Sequence, residues 1–132
     1  MRDPMTEVLD ASALLALLQS EPGADRVARA LPDAAMSVAN LAEVAAKHVD
    51  LGLSAEGLVD RTEALGIRTH QVTREDVALQ AAIRAADPRG RLGLSLGDRL
   101  CLALGMRLGV PVITADRAWT AVDLPVDVEA IR

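Results

Sequence analysis

Short apolar runs alternate with longer helical patterns along this sequence, and that alternation most constrains its fold. The runs predict strands at residues 8–10, 36–38, 67–72, 110–114 and 126–131. The patterns between them predict helices at residues 12–19, 24–31, 41–49, 55–65 and 96–108, and one more that opens at Thr73. Because parallel strands are usually connected by helices, we expect an α/β fold with a parallel sheet covered on both faces.

Local signals mark several helix ends. Thr73 and Asp76 have capping-box spacing, and so do Ser95 and Asp98. Gly109 is expected to stop the helix at residues 96–108. The segment at residues 87–95 is predicted to be a loop, and the glycines between residues 89 and 97 are interpreted as loop formers.

The size and composition favour one globular domain over residues 1–132. The chain has 51% hydrophobic residues, which excludes disorder by composition, and no apolar run reaches the roughly 18 residues of a membrane span. No signal peptide is recognised, so a cytoplasmic location and no membrane partner are expected. Residues 1–5 are interpreted as a disordered leader, and Met1 and Met5 remain alternative starts. Cys101, the single cysteine, excludes an internal disulfide and is expected to be buried in a helix.

Charge and aromatic content limit how the chain could bind nucleic acid. It contains one tryptophan and no phenylalanine or tyrosine, which excludes a surface that stacks bases on aromatic rings. The formal net charge of −5 argues mildly against nucleic acid as a partner. Four clustered carboxylates would leave 15 acidic side chains against 14 basic ones, so the excess could be local.

Two aspartates directly follow predicted strands. Asp10 ends the first strand, and Asp116 comes two residues after Thr114 at the end of the fourth. Ligands of open α/β sheets bind beyond the carboxyl ends of the strands, so both aspartates could face one crevice. Each is also a plausible helix N-cap. The Thr114 hydroxyl is expected to hydrogen-bond to a ligand of the cluster or to metal-bound water.

Two more carboxylates lie in helices. Glu43 shares one helix face with Asn40 and Lys47, and the alternative is an ordinary solvated face with a Glu43–Lys47 pair. Asp98 completes the capping box with Ser95, and that role alone could explain it. The functional interpretation is that the first helical turn aims Asp98 at the strand ends.

The four carboxylates, if brought together, would require a cation. Like charges at short distance repel one another, whereas a hard divalent ion with oxygen ligands relieves the repulsion. Mg²⁺ or Mn²⁺ fits a site of carboxylates and water. Such a site can activate water for attack on a phosphodiester.

The remaining polar residues give weaker signals. His48 and His70 lack metal-ligand spacing and are interpreted as surface residues. Several arginines flank the proposed cleft and could hold RNA phosphates, or could serve solubility only. They are Arg84, Arg89, Arg91 and Arg99, with Arg117 beside Asp116.

Four segments carry a family resemblance: VLDASALLALL, SVANLAEVAAKH, LSLGDRLCLALGMRLGVPVITADRAW and the final VDVEAIR. Together they resemble a PIN domain, and more narrowly the VapC-type ribonuclease toxins of bacterial toxin–antitoxin pairs. The resemblance runs from about Glu7 to Arg132. Gly105 stands where alanine is usual, a change expected to be minor.

The resemblance implies a three-layer α/β/α sandwich with a central parallel sheet. It implies a metal-dependent endoribonuclease that uses Mg²⁺, with Asp10 and Asp98 as the surest ligands and Glu43 and Asp116 completing the site. Ser12 and Thr114 match supporting positions. It further implies an RNA substrate such as tRNA or rRNA, a cognate VapB-like antitoxin and a homodimer.

Two other functions remain open from the sequence. A phosphoacceptor signalling domain also has a parallel sheet and an acidic pocket, but needs a lysine after a late strand, and Lys47 is the only lysine. A non-catalytic PIN-like binding module would keep the fold without the chemistry. The segments ALLALL and LVDRTEAL are expected to line a groove or a dimer face, which would suit an antitoxin.

Overall fold

The computed structural model describes residues 5–121 and 123–132, so the predicted leader lies, apart from Met5, outside the described residues. The strands are β1 (Glu7–Leu9), β2 (Ala34–Ser37), β3 (Arg68–His70), β4 (Val112–Thr114) and β5 (Val128–Ala130). The helices are α1 (Ala11–Leu18), α2 (Ala24–Ala30), α3 (Val38–Asp50), α4 (Leu58–Ala64), α5 (Arg74–Ala86) and α6 (Leu96–Leu108), and a 3-10 helix covers Arg117–Thr120. Within the described part of the chain, no helix is long and apolar enough to cross a membrane.

All five strands form one parallel sheet in the order β3-β2-β1-β4-β5. Val8 of β1 pairs with Ala35 on one side and with Val112 on the other. The chain therefore winds outward from β1 in both directions. The carboxyl ends of β1 and β4 form the switch point at which a parallel α/β sheet usually binds its ligand.

Helices cover both faces of this sheet, which confirms the predicted three-layer architecture. Alternate residues of a strand point to opposite faces. Leu9 belongs to the core that packs against α1, α2, α3 and α4, whereas Val8 belongs to the core that packs against α5 and α6. Both residues have no solvent exposure. Cys101 is also fully buried, as predicted.

Most element boundaries agree with the sequence prediction, but the start of α3 and the place of His48 do not. The Ser37 hydroxyl accepts a hydrogen bond from Ala39 N–H at 3.2 Å, so α3 begins at Val38, three residues before the predicted start. His48 was predicted to be a surface residue, and that prediction is wrong. It is 6% exposed, and its Nδ1 lies 3.0 Å from the Val44 carbonyl oxygen.

Candidate active site

Asp10 lies at the switch point, immediately after β1 and at the start of α1. Its Oδ1 accepts a hydrogen bond from Ala13 N–H at 2.8 Å, so the residue is the N-cap of α1, as one of its two interpretations predicted. Capping does not account for the whole carboxylate, because Oδ2 points towards the end of β4. The side chain is nearly inaccessible, since the residue is 4% exposed.

Two hydroxyl groups complete the surroundings of Asp10. Ser12 Oγ lies 2.7 Å from Oδ1, and Thr114 Oγ1 donates to Oδ2 at 2.5 Å. Ser12 Oγ in turn accepts from Ala115 N–H at 2.9 Å, and Thr114 Oγ1 accepts from Asp116 N–H at 3.0 Å. The predicted hydrogen bond between Thr114 and a carboxylate of the cluster is therefore present. Asp10 is held in one orientation by Ser12 in the first turn of α1 and by Thr114 at the end of β4.

Burial raises the pKa of the Asp10 carboxyl above its ordinary value of 3.8. Hydrogen bonds from Thr114, Ala13 and Ser12 oppose that rise, and the negative charge of Asp98 adds to it. The ionised form of Asp10 is thus disfavoured by its surroundings, and a nearby positive charge would stabilise it.

Glu43 reaches the same region from α3. The Asn40 side-chain amide donates to Glu43 Oε1 at 2.7 Å and to the Gly97 carbonyl oxygen at 3.0 Å. Asn40 is 1% exposed, so this link between α3 and α6 is buried. The expected stripe of Asn40 and Glu43 is real, but it faces α6 rather than only solvent. The ion pairs found among the described residues do not include Glu43 with Lys47.

Gly97 corrects one sequence prediction. It was interpreted as a loop former, but it lies in the first turn of α6. A Cβ at this position would lie only 2.7 Å from Glu43 Oε1, which shows how closely the carboxylate approaches the helix backbone. The sequence did indicate that Gly97 is helical, because Gly97 lies between Ser95 and Asp98, the two residues of the predicted capping box.

Asp98 forms that capping box as predicted. Its Oδ2 accepts from Ser95 N–H at 2.9 Å, while Asp98 N–H donates to Ser95 Oγ at 3.1 Å.

The negative charge of Asp98 also affects buried groups of the site. Burial raises the pKa of the Cys101 thiol, and the charges of Asp10, Asp98 and Glu43 raise it further. The charges of three acids from separate elements therefore act on the same buried thiol.

Asp116 is placed differently from the other three acids. It is exposed, and its Oδ1 accepts from Ala118 N–H at 3.0 Å as the N-cap of the 3-10 helix. Its link to the buried acids runs through the backbone, by the hydrogen bond from its N–H to Thr114 Oγ1. Asp98 thus lies near enough to Asp10 for its charge to raise the Asp10 pKa, and Glu43 packs against Gly97, the neighbour of Asp98 in sequence, whereas the Asp116 carboxylate caps its own 3-10 helix.

The donor set suits a hard divalent cation. Carboxylate and hydroxyl oxygens are what Mg²⁺ and Mn²⁺ prefer, and none of the ion pairs found among the described residues includes the buried Asp10 carboxylate. Asn40 Oδ1 is buried and has no hydrogen-bond partner within that part of the chain. Across residues 5–121 and 123–132, however, no three His, Cys, Asp or Glu side chains already lie close enough to form a metal-binding group.

The arginines fall into two groups. Arg99 is half-buried and donates to Gln80 Oε1 and to the Leu94 carbonyl oxygen, both at 2.9 Å, so it ties α6 to α5 and to the preceding loop. Arg91 and Arg117 are exposed. Arg91 and Arg117 are therefore better placed than Arg99 to meet an outside ligand.

The sequence matches the model of one known protein family. A family model described as PIN domain matches residues 8–124. The chain belongs to the PIN domain family. That match spans all the acids of the site and every strand except β5. No curated protein matches the sequence of this PIN domain.

Solved structures share the fold of this PIN domain at low sequence identity. A chain from a toxin–antitoxin complex of Klebsiella pneumoniae is 17% identical with a TM-score of 0.72, and the match covers 96% of this chain and 98% of that one. A chain of VapBC2 from Rickettsia felis, bound to a promoter DNA fragment, is 13% identical with a TM-score of 0.74, covering 96% and 98%. A chain of VapBC-5 from Mycobacterium tuberculosis is 22% identical with a TM-score of 0.62, covering 98% and 99%.

Proposed function

We propose that residues 1–132 form a single PIN domain that acts as a metal-dependent endoribonuclease, the VapC-type toxin of a toxin–antitoxin pair. The observations that carry this proposal are that the charge of Asp98 acts on the buried Asp10 at the switch point of the sheet and that Glu43 packs against Gly97, the neighbour of Asp98. Membership of the PIN domain family supports the nuclease class.

Asp10 and Asp98 would be the main ligands of Mg²⁺, with Mn²⁺ able to substitute, and Glu43 and Asp116 would complete the site directly or through water. A bound dication supplies charge stabilisation at the phosphodiester and lowers the pKa of the attacking water. The ligand roles of these four acids remain a prediction.

The residues of the chain itself would orient and tune the acids. Thr114 at the end of β4 and Ser12 in the first turn of α1 hold the Asp10 carboxylate in place. Their hydrogen bonds oppose the rise of the Asp10 pKa, so they keep the carboxylate ionised at lower pH than burial alone would allow. Asn40 orients Glu43 by donating a hydrogen bond to its Oε1.

The RNA substrate would be tRNA or rRNA, held mainly through its phosphates. With one tryptophan, itself buried, the chain offers no aromatic surface for base stacking. Arg91 and Arg117 are the exposed candidates for phosphate contacts, and Arg99 is a weaker one because it already serves the fold. The proposed place of action is the cytoplasm.

A VapB-like antitoxin and a second copy of the chain are the proposed protein partners. The described surface keeps apolar side chains exposed near the start of α3 and on α4, including Val38 at 39% and Val59 at 51%. Val59 lies in the segment LVDRTEAL that was expected to line a groove. The other segment, ALLALL, packs against the core instead, since Leu14 is fully buried and Leu15, Leu17 and Leu18 are partly buried.

The proposed function is tested by incubating purified protein with total tRNA and rRNA, with Mg²⁺ and with a chelator. Asp10→Asn and Asp98→Asn should each abolish cleavage while leaving a cooperative melting transition. Asp60→Asn, an exposed acid on α4, is the matched control and should cleave like the wild type. Cleavage retained by both site variants, or cleavage undiminished by the chelator, would contradict the proposal.

The alternative of a non-catalytic binding module makes the opposite prediction about metal. It predicts no binding of Mn²⁺ in a calorimetric titration, whereas the nuclease proposal predicts binding that Asp10→Asn abolishes. The same titration therefore separates the two.

A further inference from the structure

We propose that Asn40 and Gly97 are positioning residues that together hold the Glu43 carboxylate against the first turn of α6, the turn that contains Asp98. The inference rests on the proposed function, because it concerns how one metal ligand is held. Its physical basis is a contact between α3 and α6 that involves both residues.

Asn40 forms the hydrogen bonds of this contact. Its amide nitrogen donates one hydrogen bond to Glu43 Oε1 at 2.7 Å and one to the Gly97 carbonyl oxygen at 3.0 Å. Both amide hydrogens are therefore used, and the two acceptors belong to different helices. Because the amide is buried, water competes little for either bond.

The other end of the same amide is left without a partner. Asn40 Oδ1 is buried and accepts no hydrogen bond from the described residues. An unsatisfied buried oxygen opposes folding, so an apolar side chain would serve packing better. The orientation of Asn40 is explained if holding Glu43 against α6 is what the residue does.

Gly97, which has no side chain, leaves room for the Glu43 carboxylate against α6. Its backbone lies in a helix and is not among those with positive φ, so the turn itself does not require glycine, and alanine would favour the helix more. A Cβ would come within 2.7 Å of Glu43 Oε1 and 2.8 Å of its Cδ. Those atoms are the far end of a flexible side chain, so alanine would displace the Glu43 carboxylate without disturbing the backbone.

The two residues together explain why Glu43 does not extend into solvent. A glutamate side chain with a free carboxylate would extend into solvent, because water solvates its charge. The Asn40 hydrogen bond opposes that movement, and the absence of a side chain at Gly97 permits the close approach. Residues that orient metal ligands in this way affect metal affinity without touching the metal.

The test compares Asn40→Leu, Gly97→Ala and the control Leu96→Ala, an exposed neighbour in the same helical turn. Mn²⁺ affinity is measured by calorimetry, and the melting temperature is measured in chelator. We expect Asn40→Leu and Gly97→Ala to bind Mn²⁺ about 10- to 100-fold more weakly. Gly97→Ala should melt at the wild-type temperature or above it, and Leu96→Ala should bind Mn²⁺ like the wild type.

A second background separates positioning of Glu43 from a general effect. In Glu43→Gln protein, adding Gly97→Ala should cause less than a twofold further loss of Mn²⁺ affinity, because the group that it displaces is already altered. Wild-type affinity in Gly97→Ala, or a full additional loss in the Glu43→Gln background, would overturn the inference while the proposed function stood. Absence of Mn²⁺ binding by the wild type would instead contradict the proposed function, and the inference with it.

Discussion

Thr114 Oγ1 donates a 2.5 Å hydrogen bond to Asp10 Oδ2, and this bond joins the ends of β4 and β1 across 104 positions of sequence. The donor is buried with 0% exposure, and its acceptor is a carboxylate that burial disfavours as an anion. The bond therefore has both a structural and an electrostatic effect, and the two can be measured separately.

Thr114→Val removes this donor while nearly preserving the volume of the side chain. The Thr114 hydrogen bond lowers the pKa of Asp10, so its loss should raise that pKa further. The acidic limb of the pH profile for Mn²⁺ binding and RNA cleavage should shift to higher pH. Thr120→Val, an exposed hydroxyl of the 3-10 helix, is the control. An acidic limb that stays in place would contradict this role for Thr114.

Asp10→Asn should stabilise the metal-free protein at pH 7. Because the folded-state pKa of Asp10 lies above 3.8, the folded protein retains this proton to higher pH than the unfolded chain does. The corresponding stability is present below pH 3.8 and is lost as pH rises through the folded-state pKa. Asparagine avoids that loss, and each kcal/mol recovered should raise the melting temperature by about 4 °C.

The measurement is thermal melting of wild type and Asp10→Asn in chelator across a pH series. The advantage of the variant should shrink as the pH is lowered towards 3.8 and should vanish below it, where wild-type Asp10 becomes protonated in both states. A variant that melts below the wild type at pH 7, or an advantage that grows in acid, would show that burial is not the dominant cost at Asp10.

The parts of the site that could be predicted from the sequence are those formed by residues close together in the chain. The capping box of Ser95 and Asp98 and the N-cap role of Asp10 are set by neighbouring residues, so spacing alone predicted them. The approach of Glu43 to Gly97 joins positions 54 apart in the chain, and no local pattern encodes it. The sequence pattern and the resemblance together pointed to the four acids, but only the fold shows that Asp116 caps its own 3-10 helix.

The strands of the fold could also be predicted from the sequence, whereas the start of α3 and the burial of His48 could not. The alternation of apolar runs and helical patterns predicted the parallel sheet, and all five strands appear within or next to the predicted ranges. The start of α3 was misplaced because the apolar residues around Ser37 suit a strand, while the Ser37 cap starts a helix. His48 was predicted at the surface because it lacks metal-ligand spacing, yet its position on α3 turns it inward.

Gly105→Ala should destabilise the protein, although alanine is usual at this position in the resembling family. A Cβ here would lie 2.6 Å from Val112 Cγ2 and 3.1 Å from Val126 Cγ2. Overpacking of this kind costs about 1–3 kcal/mol, and the gain in helix propensity offsets about 1 kcal/mol of it. Urea denaturation should show a net loss, which Val112→Ala in the same chain should partly reverse. Equal stability of Gly105→Ala and wild type would show that Val112 and Val126 can move aside without a loss of stability.

Arg91→Ala and Arg117→Ala should weaken RNA binding with little effect on stability, because both side chains are exposed. If each contacts one phosphate, each loss should reduce the slope of log affinity against log salt concentration by about 0.7–1. Filter binding to tRNA over a salt series, with catalysis blocked by chelator, measures the slope. Arg61→Ala on α4 is the control, and an unchanged slope in both variants would remove these arginines from the RNA surface.

The central claim is that acids from separate elements hold one dication at the carboxyl end of the sheet. The most direct measurement is the anomalous difference map of a crystal soaked in Mn²⁺. The account predicts a manganese peak in contact with carboxylate oxygens of Asp10 and Asp98, with Glu43 adjacent, and its disappearance in Asp10→Asn crystals. Manganese bound only at other carboxylates, or no peak at Asp10 in a crystal that binds manganese elsewhere, would contradict it.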